Sequence, residues 1–193
     1  MNKFLIFLPT LALLLACGGP TPSADVNGDA PVAPMVNDPD VLAAASMPVG
    51  VTEPWSAVVL EYVALKDAFV ASDLRTARVK AEDMAQRIAA ADMSVMGAGH
   101  DAWMANVTPL ARSARAITDA GDLDAARAAF AEMTAPMVAA AKVLGDGGQD
   151  LYVQYCPMAF DNAGADWVAM GSEIRNPYFG DAMLTCGKVT EKL

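Results

Sequence analysis

Two cysteines and two methionines near the C-terminus carry most of the chemistry this chain can be expected to do. In Cys156-Pro157-Met158 and Met183-Leu184-Thr185-Cys186 a thiol lies two or three residues from a thioether, and a long loop separates the two sets. Thiolate and thioether are soft donors that select Cu(I) and similar ions over hard cations, so Cys156, Met158, Met183 and Cys186 are candidate metal ligands. The same spacing also suits a Cys156–Cys186 disulfide, with the two methionines left as core residues. Closing that loop would stabilise the fold by on the order of 3 to 4 kcal/mol. Composition leaves both alternatives open.

No other constellation competes with this one. His100 is the only histidine, which excludes a multi-histidine zinc site within one chain. Met93 and Met96 offer a weaker second set of soft donors, and more often such residues pack. Met133 and Met137 continue an apolar helical period, so they are read as core. Glu82-Asp83 falls on an expected solvated helix face, not across a pocket where general acid catalysis could work. No nucleophile elbow or phosphate loop is present, and the chain is not expected to be an enzyme.

The elements that must position the four sulfurs are mostly helical. Apolar residues recur at steps of three and four in Val58, Tyr62, Leu65, Phe69, then in Leu74, Ala77, Ala81, Met84, Ile88, and again in Val107, Leu110, Ala114, Ile117. The longest stripe runs Leu123, Ala126, Phe130, Met133, Met137, Ala140, Leu144. Asp73 and Asp122 stand where helix N-caps are needed, and Thr108-Pro109 reads as a cap followed by a first-turn proline. Pro136 inside the last stripe predicts a kink or break. Short connections between four such helices argue for an all-α, antiparallel four-helix bundle. Beyond Gly145, Leu151-Tyr152-Val153-Gln154-Tyr155 suits a short strand that Met183-Leu184-Thr185-Cys186 could pair with, giving a two-stranded β clip around a long loop.

Ahead of the bundle the chain changes character twice. Residues 1–16 combine Lys3 with the apolar run Phe4 to Ala16, too short for the roughly 20 residues a membrane span requires, and they read as a signal peptide. Leu14-Leu15-Ala16-Cys17 resembles the lipobox of bacterial lipoproteins, which implies cleavage before Cys17 and lipidation of that residue. Acyl chains contributing on the order of 0.8 kcal/mol per buried methylene would then hold the protein on a membrane. Gly18 in place of Asp resembles the pattern sorted to the outer membrane, facing the periplasm. Residues 17–54 complete the N-terminal region as a lipidated cysteine and a disordered tether. Its 37 residues after Cys17 hold 7 of the 12 prolines and would span roughly 30 to 40 Å. The folded domain is expected over residues 55–193. The formal charge of −10, without clustered Lys or Arg, makes nucleic acid an unlikely partner.

The stretch Tyr152-Val153-Gln154-Tyr155-Cys156-Pro157-Met158-Ala159, with Trp167, Glu173-Ile174-Arg175, Asn176-Pro177-Tyr178-Phe179-Gly180-Asp181 and Met183-Leu184-Thr185-Cys186-Gly187, resembles a bacterial domain-of-unknown-function family. That family occurs in envelope lipoproteins and attached to membrane-fusion subunits of copper and silver efflux pumps. Tyr62, Leu65-Lys66-Asp67-Ala68 and Arg127-Ala128-Ala129-Phe130 extend the resemblance over about residues 52 to 190. It implies a helical module associated with Cu(I) or Ag(I) handling, partnered with an envelope efflux or metal-handling protein, with Cys156, Met158, Met183 and Cys186 as the matching donors. This chain departs from the pump-attached members in carrying no fused pump subunit.

Overall fold

The computed structural model describes residues 49–92, 94 and 97–193. Four long helices dominate: α1 (Val49–Val70), α2 (Leu74–Ala90), α3 (His100–Asp119) and α4 (Leu123–Leu144). They are followed by a small antiparallel sheet of β1 (Leu151–Cys156), β2 (Ala165–Met170) and β3 (Lys188–Lys192), with β1 in the centre. The expected signal peptide, Cys17, most of the expected tether, Met93 and Met96 lie outside the described residues. Among the described residues no helix is long and apolar enough to cross a membrane.

The apolar stripes read from the sequence are the buried faces. Val58, Tyr62, Leu65 and Phe69 of α1 are fully buried, as are Ala126, Phe130, Met133 and Met137 of α4. Each helix packs on its chain neighbour, α1 on α2, α2 on α3 and α3 on α4. Helices α1 and α4 meet over a shorter stretch, and β2 lies against both. The result is a mostly helical body whose α1–α4 side is completed by a sheet, rather than four helices sharing one core on equal terms. Tyr62 marks the seam: its hydroxyl shares a 3.0 Å hydrogen bond with Thr134 of α4 and accepts one from the Val168 amide of β2. Burial pushes its pKa up to about 12.

Helix ends follow local chemistry. Asp73 accepts the Thr76 amide at 3.0 Å and Asp122 the Ala125 amide at 2.8 Å, so both N-caps form as expected. Helix α4 stops at Gly145, whose φ of 86° and amide bond to the Ala141 carbonyl close its last turn. The next turn is tied to α1 by Trp55 Nε1 donating to the Gly145 carbonyl and Ser56 Oγ to that of Gly147. At Gly147, φ is +65° and a Cβ would sit 3.2 Å from the Ser56 backbone, so this close approach requires glycine.

Several expectations are corrected. Helix α1 starts at Val49 and carries Pro54 inside, upstream of the tether boundary drawn at residue 54. Thr108-Pro109 does not open a helix, because α3 begins at His100 and runs through Pro109. Helix α4 likewise continues without a break through Pro136. In both cases packing of the buried stripe outweighs one lost backbone hydrogen bond. The two-stranded clip is a three-stranded sheet, and Met183–Cys186 is not one of its strands. Strand β1 pairs with β2 in a register that sets Cys156 opposite Ala165, and on its other edge with β3, which sets Gln154 opposite Val189. The segment expected to be a strand instead forms the short 3₁₀ turn Gly180–Met183 and the bend after it.

Candidate functional site

The thiol pair is built by the end of one strand and the approach to another. Cys156 is the last residue of β1 and is fully buried; Cys186 lies two residues before β3 and is half-buried. Their sulfurs are 3.2 Å apart, and both cysteines are free. That separation is longer than the ~2.05 Å of a disulfide. It is shorter than the roughly 3.8 to 4.6 Å that two thiolates sharing an ion at ~2.3 Å would adopt. The mutual hydrogen bond, with burial adding to it, raises the Cys186 thiol pKa above its ordinary value. Both thiol protons must therefore leave before the pair can act as a bis-thiolate.

Asn176 holds Cys186 in place. This asparagine is fully buried, donates from Nδ2 to the Cys186 carbonyl at 2.7 Å and accepts the Tyr178 amide at Oδ1. Its own amide bonds the Leu184 carbonyl, and its carbonyl accepts the Gly180 amide, so one residue ties down both limbs of the 176–186 loop. Gly187 lets the chain descend onto the sheet. A Cβ there would lie 2.8 Å from the Trp167 ring and 3.0 Å from the Tyr155 carbonyl, at a φ of +148°. Arg127 of α4, buried, reaches from the helical body with Nε on the Pro177 carbonyl and Nη2 on Phe69 O and Ser72 Oγ. Gln154 does the same for the 171–175 segment, donating to the carbonyls of Gly171 and Glu173.

The methionines are brought together elsewhere. Met158 and Met183 both line a cleft of about 470 Å3, walled by Phe160, Tyr178 and Phe179 and bordered by Asp124, Arg127 and Asp161. Met158 is 46% exposed. Between Cys156 and β2 the chain makes a left-handed turn, with φ of 51°, 56° and 69° at Phe160, Asp161 and Asn162. Asp and Asn visit this region readily, but for Phe160 it costs on the order of 1 to 2 kcal/mol. The turn puts Phe160 edge-on to Tyr178, their ring centres 5.3 Å apart. Tyr178 is buried, which raises its pKa by desolvation. It lines the cleft, and its hydroxyl donates to the Asp166 carbonyl.

Of the four donors read from the sequence, the two thiols meet and the two thioethers share a neighbouring cleft. Sequence reasoning missed Asn176, Gln154, Gly187 and Arg127. All four stand within the stretches that carry the resemblance but received no role there, and nothing in spacing marks a polar residue as a buried anchor. His100 is the exposed first residue of α3, with only the adjacent Asp101 carboxylate near it, at 3.4 Å. Glu82 and Asp83 lie on a solvated face, where Asp83 pairs with Lys80 at 2.8 Å. Met133 and Met137 are core. Among the described residues no group of three or more His, Cys, Asp or Glu gathers at one point, so any metal bound at the thiols must complete its shell from sulfur, backbone or solvent.

Residues 58–148 match the model of a family described as a protein of unknown function (DUF3347). The match runs from within α1 through α4 and stops before β1, so the helical part, not the cysteine-bearing part, carries this similarity. No curated protein and no solved structure matches the chain.

Proposed function

We propose that this chain is a non-enzymatic envelope lipoprotein, anchored through Cys17 in the outer membrane and facing the periplasm, that binds Cu(I) or Ag(I) at Cys156 and Cys186 as an accessory to metal handling or efflux. The observation that carries the reading is the 3.2 Å approach of two free thiols from opposite ends of a 30-residue loop. The donor set fits a soft monovalent ion. Two thiolates supply most of its coordination, and two thioethers lie in the adjoining cleft. The half-buried Cys186, at the end of a loop held by hydrogen bonds, can yield the about 1 Å of extra separation that an ion needs.

The rival reading is a disulfide-stapled helical protein-interaction module with no metal. The same distance favours it, since a closing movement of about 1 Å would bring the sulfurs to bonding length. Full-length protein carrying Cys17→Ser, so that only two thiols remain to be counted, separates the two. Under the metal reading, the reduced protein takes up Cu(I) in competition with a chromophoric chelator, releases protons as it does so, and loses that uptake in Cys156→Ser. Absence of Cu(I) uptake by the fully reduced chain, with two thiols blocked in protein purified without reductant, would leave the staple as the function of the pair.

A further inference from the structure

We infer that the cleft between Met158 and Met183 is a second, thioether-based site for a soft monovalent cation, distinct from the thiol pair and open to solvent. The inference deepens the metal-binding reading and rests on it only for the choice of ion. Three features point to it. Each chain segment that delivers a thiol to the pair also delivers a methionine to one cleft: Met158 two residues beyond Cys156, Met183 three before Cys186. Met158 is 46% exposed, so an ion in solvent reaches its thioether directly.

The third feature is the wall chemistry. Phe160 and Tyr178 line the cleft, and the face of an aromatic ring, which carries the negative end of its quadrupole, stabilises a weakly hydrated cation. Asp124 and Asp161 add two exposed carboxylates at the rim. The one opposing charge, on Arg127, is turned into hydrogen bonds with Pro177, Phe69 and Ser72. Neutral thioethers bind such ions more weakly than thiolates and need lose no proton, which suits a reversible entry station beside the thiol pair.

Silver nitrate, added to reduced full-length protein carrying Cys17→Ser in chloride-free buffer, tests this. Binding is counted by calorimetry and native mass spectrometry, and methyl resonances of isotope-labelled methionines are followed. The unaltered site binds two Ag(I). Met158→Leu/Met183→Leu, a volume-conserving change, binds one. Cys156→Ser/Cys186→Ser binds one, on the order of tenfold or more weaker, with the Met158 and Met183 methyls shifting while exposed Met104 and Met170 do not. The cleft site is overturned if the cysteine-free variant binds no Ag(I), or binds it with those two methyls unmoved. If the methionine variant binds none while the cysteine-free variant still binds one, the thiol reading fails and the cleft stands.

Discussion

The helical body and the sulfur-bearing loop region are stabilised by opposite strategies. In α1 to α4 the fold rests on repetition, with each turn adding another apolar residue to a shared core and no single one indispensable to position. In residues 151–193 β1 and β2 join that core through Leu151, Trp167 and Val168, but the chain around them is held at single points, Asn176, Gln154 and Gly187, and β3 is exposed along its whole length. Distributed packing makes a rigid platform. Point anchors place two thiols and two thioethers where repetition would have placed a continuous strand.

The largest expected effect tests whether the platform is shared. Phe130 is fully buried and touches Tyr62 and Phe69 of α1 as well as Tyr178 of the loop, with ring centres 5.2, 5.1 and 6.1 Å away. Phe130→Ala should cost about 3 to 5 kcal/mol in chemical denaturation and loosen both regions together. If the loop kept its native near-ultraviolet signal through helix melting, the two regions would be independent and the comparison would need redrawing.

A more selective break is Asn176→Ala, which removes side-chain bonds to the Cys186 carbonyl and the Tyr178 amide and leaves those groups without partners. A cost of about 2 to 4 kcal/mol is expected. It should fall on the loop: helical circular dichroism at low denaturant unchanged, and Cys186 reacting faster with a thiol reagent. Loss of helical signal under native conditions would mean that the anchor supports the platform too.

The smallest effect concerns alkaline pH, where the seam between the regions is exposed through Tyr62. Its folded pKa of about 12 lies above the value of 10.0 it has when unfolded. Stability from this group is therefore complete below pH 10 and lost as pH rises through 12, by about 2 to 3 kcal/mol in total. Phenolate absorbance from Tyr62 and Tyr178 should appear only as the protein unfolds, and Tyr62→Phe should flatten the slope of stability between pH 10 and 12. Early ionisation of all four tyrosines, before any loss of helix, would show that the seam is open to water.

Legibility divides along the same line. The stripes on α1 to α4 and the caps at Asp73 and Asp122 follow from periodicity and first-turn chemistry, which act over a few residues and leave a mark at fixed spacing. The prolines at 109 and 136 misled because a propensity rule is local, whereas the burial that overrides it is not. Strand β1 was readable from its branched and aromatic residues. Strand β3, Lys188–Lys192, carries no apolar alternation and is a strand only because β1 offers it an edge.

For the candidate site, residue types alone singled out Cys156, Met158, Met183 and Cys186, since soft donors are rare and their clustering is visible in one dimension. Which donors face each other was a matter for tertiary structure. The left-handed turn at 160–162, the polar hub at Asn176 and the reach of Arg127 from α4 act between positions far apart in the chain. Their effect is to bring sulfur to sulfur at the end of β1 and to send the two thioethers to a cleft of their own. Pairwise geometry of that kind depends on contacts formed only once the helices are packed, and no spacing within the sequence encodes it.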